Sequence, residues 1–125
     1  MQQLNLKNIK SHYEYNKYGD VFYYLTKAFK PREVVELGAY QGYSALHIIA
    51  ALKEQNYKST FTSIDLYERY IFEHSTQEIL LKNLKKNNFC NLENVALSII
   101  QADAFKYQEN FSDNTIDLLH VDINN

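Results

Sequence analysis

At 125 residues the chain has room for one domain, and a domain of that length buries roughly two-thirds of the surface its unfolded chain exposes. A hydrophobic fraction of 46% with a net charge of −2, free of any block of like charge, describes a globular protein and removes nucleic acid as the default partner. The lone Cys90 excludes an internal disulfide framework, and no run approaches the roughly 18 apolar residues of a membrane span, so a cytoplasmic protein without membrane contact is expected.

Residues 1–12 show only scattered Leu4, Leu6 and Ile9 and read as an N-terminal arm. Six aromatic residues then fall between Tyr13 and Tyr24, and their simplest role is to cover a surface helix with amphipathic rings. Asp20 is a candidate N-cap for a leading helix over residues 20–30, with Val21, Phe22, Leu25, Ala28 and Phe29 at helical spacing and Pro31 ending the pattern. Glu33 to Leu37 is short and rich in β-branched residues, as befits a buried parallel strand. It runs into a Gly38-x-x-x-Gly42 turn, and a helix from Tyr43 to Gln55 follows with Ala45, Leu46, Ile48, Ile49 and Leu52 on one broad face.

Thr60 to Asp65 is the second predicted strand. A long helix from about Tyr70 to Asn88 is expected from Phe72, Ile79, Leu80 and Leu84, with Lys82, Lys85 and Lys86 suiting its C-terminal dipole. Leu97 to Gln101 is the third strand, Ala104 to Phe111 a weakly helical connection, and Ile116 to Val121 the fourth strand. Strands alternating with crossovers of this length predict one α/β domain over residues 1–125, with a Rossmann-like three-layer sandwich over 33–122 and parallel strand order 3-2-1-4.

Open α/β sheets bind ligands outside the carboxyl ends of their strands. Glu36, Asp65, Asp103 and Asp122 stand at, or one or two residues past, those four ends. Neither G-x-G-x-x-G nor the phosphate-binding G-x-x-x-x-G-K-[ST] occurs. A ring of acids instead suits a ligand with hydroxyl donors, an ammonium and a cationic sulfur, the set of groups found in S-adenosylmethionine. Glu36 would then hold the loop and face the amino-acid end, while Gly38 and Gly42 allow close backbone approach. Ser44 would receive the carboxylate, Asp65 the ribose hydroxyls, and Leu66 the adenine face.

Val35-Glu36-Leu37-Gly38-Ala39-Tyr40-Gln41-Gly42-Tyr43-Ser44-Ala45 closely resembles motif I of the class I S-adenosylmethionine-dependent methyltransferases, in the form seen in catechol-type small-molecule O-methyltransferases. The resemblance continues through Ser63-Ile64-Asp65 and Gln101-Ala102-Asp103-Ala104. Asp117-Leu118-Leu119-His120-Val121-Asp122 looks more like the macrocin- and cephalosporin-type branch. The resemblance implies cofactor-loop roles for Glu36, Gly38, Tyr40 and Ser44, a ribose-binding acid at Asp65, and an adenine-contacting pair at Asp103 and Ala104. It further implies a motif IV acid at Asp122, which in metal-dependent members binds a divalent cation such as magnesium and is the candidate catalytic residue. The family's fifth to seventh strands, its other metal ligands and its usual lysine base all lie beyond motif IV, where this chain has only Ile123, Asn124 and Asn125.

The expected activity is therefore methyl transfer to an oxygen of a small-molecule acceptor, or the cofactor-binding part of such an enzyme. The reading from another class is a non-catalytic module that holds the cofactor or a partner, with self-association through the exposed edge of the fourth strand. His120 reads first as a core histidine with a satisfied hydrogen bond and second as a general base beside Asp122. His12, His47 and His74 show no zinc spacing with Cys90, and Cys90 has no predictable histidine partner.

Overall fold

A computed structural model describes residues 2–123. Four parallel strands, β1 (Glu33–Leu37), β2 (Ser59–Asp65), β3 (Val95–Gln101) and β4 (Leu118–Val121), form one sheet in the order β3-β2-β1-β4, as the alternating pattern predicts. Helices α1 (Tyr18–Phe29), α2 (Tyr43–Lys53), α3 (Gln77–Lys86) and the single turn α4 (Ala104–Tyr107) connect or precede them. Among the described residues no helix is long and apolar enough to cross a membrane.

The core gathers around α2, which is buried from Tyr43 to Leu52 rather than on one face only. Val34 and Phe61 of the sheet, Leu80 and Leu84 of α3, and Phe89 beyond it belong to the same cluster. At the start of the sheet, Asp117 Oδ2 accepts from the backbone N–H groups of Arg32 and Glu33, both at 2.9 Å. These two bonds tie the entry of β1 to that of β4, and they hold the Asp117 carboxyl below the usual carboxylate range.

Three expectations need correction. The leading helix begins at Tyr18, and the face it turns inward is Gly19, Tyr23 and Thr26; Val21, Leu25 and Phe29 are exposed. The reason lies in α2: a Cβ at Gly19 would come within 2.2–2.5 Å of the His47 ring, so α1 can lie against α2 only on its glycine side. Polar groups survive on that face because each is satisfied, Tyr23 by Glu54, Thr26 by the Phe22 carbonyl at 2.7 Å. His47 is thus buried, and its Nδ1 lies 2.7 Å from the Tyr43 carbonyl.

The second correction concerns α3, which starts at Gln77 instead of near Tyr70. Thr76 is its N-cap, its hydroxyl accepting from Ile79 N at 3.2 Å, and Glu78 lies in the first turn where a negative charge suits the helix dipole. Phe72, used as evidence for a longer helix, lies exposed in the segment between a 3-10 turn at Tyr67–Arg69 and Thr76. Thirdly, β4 is shorter than its apolar run, because Ile116 and Asp117 belong to the turn that precedes it.

Candidate functional site

At the carboxyl ends of β1, β2 and β4 the chain encloses a cleft of about 560 Å³, within the range of small-molecule sites. Gly38, Tyr40, Ser44, Asp65, Leu66, Asp103, Ala104 and Asp122 all line it. Its acids are Asp65, Glu73, Asp103 and Asp122, against Lys10 as the one lysine or arginine, so a cationic ligand is favoured.

The glycine loop is a built feature. Gly38 sits at φ +91°, and a Cβ there would lie 2.1 Å from the Asp122 carbonyl oxygen, so only glycine lets the loop leave β1 beside the end of β4. Gly42 N–H donates to Ala39 O at 2.9 Å, and Leu46 N–H to Gly42 O at 2.8 Å, which turns the chain into α2. Asp65 fastens this loop from β2: its Oδ2 accepts from Ala39 N at 2.7 Å and Tyr40 N at 3.0 Å, and its Oδ1 from Tyr67 N at 2.7 Å. A carboxylate has about four acceptor positions, and three are occupied by backbone. Tyr40, at φ +50°, crosses the mouth to donate to Glu73 Oε1 at 3.3 Å.

Glu36 and Gly42 do not line the cleft. Glu36 is fully buried behind the loop, opposite Ser63 on β2 and His120 on β4. Ser44 Oγ donates to Glu36 Oε2 at 2.5 Å, so the hydroxyl expected to meet a ligand is committed to this carboxylate. His120 Nδ1 lies 2.9 Å from the same oxygen. Burial opposes a charge on His120, but the hydrogen bond to Glu36 and the Glu36 and Asp122 charges outweigh it and raise its pKa. His120 has the satisfied hydrogen bond of the first reading, but it is half-buried at the sheet edge rather than in the core.

Asp103 caps α4, its Oδ1 accepting from Phe105 N at 3.0 Å. Four further walls carry no signal in the pattern of residues. Ser75 is buried and its hydroxyl has no protein partner, while Tyr70 and Phe105 add aromatic surface. The fourth is the N-terminal arm, which contributes Lys10 to Tyr13. For a divalent cation, Asp122 has no second and third ligand: no group of three or more His, Cys, Asp or Glu side chains that could hold a metal ion occurs among the described residues. Among the described residues Asp122 therefore stands as a single candidate ligand for the magnesium that the resemblance implies.

A second cavity of about 580 Å³ opens at the opposite ends of the strands, between Arg32, Lys58, Asn94 and Asp117. It is shallow, and the loop glycines and the four strand-end acids are not part of it.

The model of a family described as a methyltransferase domain matches residues 35–125. The chain belongs to that methyltransferase domain family. The methyltransferase PaMTH1 of Podospora anserina, solved with S-adenosylhomocysteine bound, is similar at TM-score 0.66 and 21% identity over 93% of this chain and 42% of its own. The O-methyltransferase TomG of Streptomyces achromogenes, solved with S-adenosylmethionine, gives 0.65 and 18% over 90% of this chain and 50% of its own. An O-methyltransferase of Bacillus cereus gives 0.61 and 17% over 93% and 46%. At such identities the likeness is one of fold, and the chain spans about half the length of each of these proteins. A comparison with curated proteins finds no match.

Proposed function

We propose that the cleft binds S-adenosylmethionine and that the chain is a small-molecule O-methyltransferase, or the cofactor-binding part of one. The observation that carries this reading is convergence: residues from the ends of β1, β2, β3 and β4, scattered from Gly38 to Asp122 in sequence, line one acid-rich cleft. The structural relatives that hold the cofactor or its demethylated product support the same reading.

Bound there, S-adenosylmethionine supplies an activated methyl group on a cationic sulfur for in-line transfer to an acceptor oxygen. What the chain itself contributes is alignment and exclusion of water. Glu36 keeps Ser44 and His120 in place from behind the loop. Asp65 holds the amides of Ala39 and Tyr40 and keeps about one acceptor position, enough for a single ribose hydroxyl. Leu66 and Ala104 offer apolar faces to adenine, Asp103 an acceptor nearby, and Asp122 a negative charge at the Gly38 end, suited to the sulfonium and ammonium. Ser75, buried with an unpartnered hydroxyl, is a further polar contact for the ligand.

Calorimetric titration of the chain tests this. S-adenosylmethionine and S-adenosylhomocysteine are expected to bind and NAD is not; binding of NAD with neither adenosyl ligand overturns the assignment.

A further inference from the structure

The irregular segment that leads into α3 ends in a serine turned inward while its neighbours face water. Glu73 and His74 are exposed, whereas Ser75 is only 5% exposed. The helix it precedes does not need its hydroxyl, because the Thr76 hydroxyl accepts from Ile79 N and Gln77 N–H donates to Glu68 Oε2 at 3.2 Å. Buried side-chain polar atoms without a protein partner also occur on Glu36, Tyr57, Ser59, Ser63 and Tyr67, but among the described residues Ser75 is the one of this set that lines the cleft. A hydroxyl held out of water without a partner is destabilising, so a ligand group that pairs with it recovers what folding forgoes.

The order of the strands locates this hydroxyl along the cleft. Gln77 Nε2 donates to Ile99 O at 3.1 Å and Gln101 Nε2 to Leu66 O at 3.2 Å, so the start of α3 rests on the carboxyl ends of β2 and β3. Asp122 lies toward the other edge of the sheet, past β1 and at the end of β4. With Asp65 at the ribose and Asp122 at the sulfonium, the β3 side of the cleft is left for the base, beside Leu66 and Ala104. Asp103 on that side only accepts, and its Oδ1 already meets Phe105 N. It suits the exocyclic amine of adenine but not the ring nitrogens, which are acceptors themselves. Ser75 supplies a donor for one of them from a buried position.

We infer that Ser75 is a specificity-determining residue whose hydroxyl donates to a ring nitrogen of the cofactor's purine. The inference rests on the cofactor reading above and deepens it by naming a group that reads the base. A base of the same shape without that nitrogen leaves the hydroxyl as unpaired as it is in the free chain. Recognition at this point is therefore by hydrogen bonding, and ring shape alone does not satisfy it.

Calorimetry on the unaltered chain and on Ser75→Ala tests this, using S-adenosylhomocysteine and its 1-deaza, 3-deaza and 7-deaza analogues, with thermal midpoints of the free proteins recorded alongside. Ser75→Ala is expected to weaken S-adenosylhomocysteine about fivefold, the effect of one neutral hydrogen bond, and to leave the midpoint of the free chain level or raised. One of the three analogues is expected to bind the unaltered chain about fivefold more weakly than the parent ligand and to be indifferent to Ser75→Ala, while the other two lose as the parent does. Unchanged affinity, an equal loss for the parent and all three analogues, or a lowered midpoint of the free chain overturns the role of Ser75 alone. Failure of the unaltered chain to bind S-adenosylhomocysteine overturns the cofactor reading, and the role of Ser75 with it.

Discussion

Glu36 has no exposed surface, and both of its recorded partners, Ser44 and His120, meet the same oxygen, Oε2. Its other oxygen is buried without a protein partner, as are the hydroxyls of Ser63 and Tyr67. A carboxylate in such a place needs a counter-charge, and His120 is the group able to provide it. The pH dependence follows from the sign of the shift. Folding raises the His120 pKa above the 6.5 of the free side chain, so its contribution is complete below about pH 6.5 and is lost as pH rises through the raised value. His47 acts in the opposite sense: burial lowers its pKa, so its neutral form costs stability as pH falls below 6.5. Subtracting the denaturant stability of His120→Asn from that of the unaltered chain removes the His47 effect. The difference is expected to be larger near about pH 5.5 than near about pH 8.5. A difference that grows with pH would mean the His120 ring is neutral in the folded protein.

Sequence alone found Glu36 and Asp65 because carboxylates at strand ends stand out against apolar runs. It could not show that Glu36 faces inward, since β1 is buried on both faces and its alternation is erased. Nor could it show that Asp65 holds the loop, because which acceptor position meets a backbone amide depends on the distance between two strands' ends.

At the scale of the element, the glycine loop separates two kinds of constraint. Both glycines have positive φ, but a Cβ at Gly38 meets the backbone of Asp122, whereas a Cβ at Gly42 meets Leu80 Cδ1 at 2.4 Å, the tip of a flexible side chain. Gly38→Ala is expected to destabilise by more than the roughly 1–3 kcal/mol of an unfavourable φ, and Gly42→Ala by about that amount. Equal losses in urea unfolding would show that the end of β4 yields as easily as a leucine side chain.

The elements themselves were legible in unequal measure. Strands and α2 announce themselves through dense apolar runs. Phe72 extends the apolar spacing of α3 past its true start, although it meets Tyr70 edge-on, at 5.5 Å between centroids, in the irregular segment beside the cleft. Thr76 as an N-cap residue with Glu78 in the first turn does mark the true start. The inward face of α1 was hidden for another reason. Gly19 decides it by admitting His47, and no count of apolar residues registers a space.

In the whole molecule, two cavities of similar size lie at opposite ends of one sheet. Volume does not separate them, but topology and charge do. The strand order reverses at β1, between β2 and β4, and the cleft opens at the carboxyl side of that reversal, where acids and the glycine loop gather. The arm's part in the cleft is a whole-molecule feature as well: Asn5 bonds to Asn87 and Lys10 to Gln41, pairings set by tertiary structure and invisible to local pattern.

Backbone amide shifts recorded by NMR during titration with S-adenosylhomocysteine test the location most directly. The expected result is perturbation concentrated at residues 38–44, 65–66 and 102–105, with residues 32–33, 58–60 and 94–96 at the opposite end unmoved. Shifts gathered at that opposite end, or no shift anywhere at saturating ligand, would contradict a cofactor cleft at the carboxyl ends of the strands.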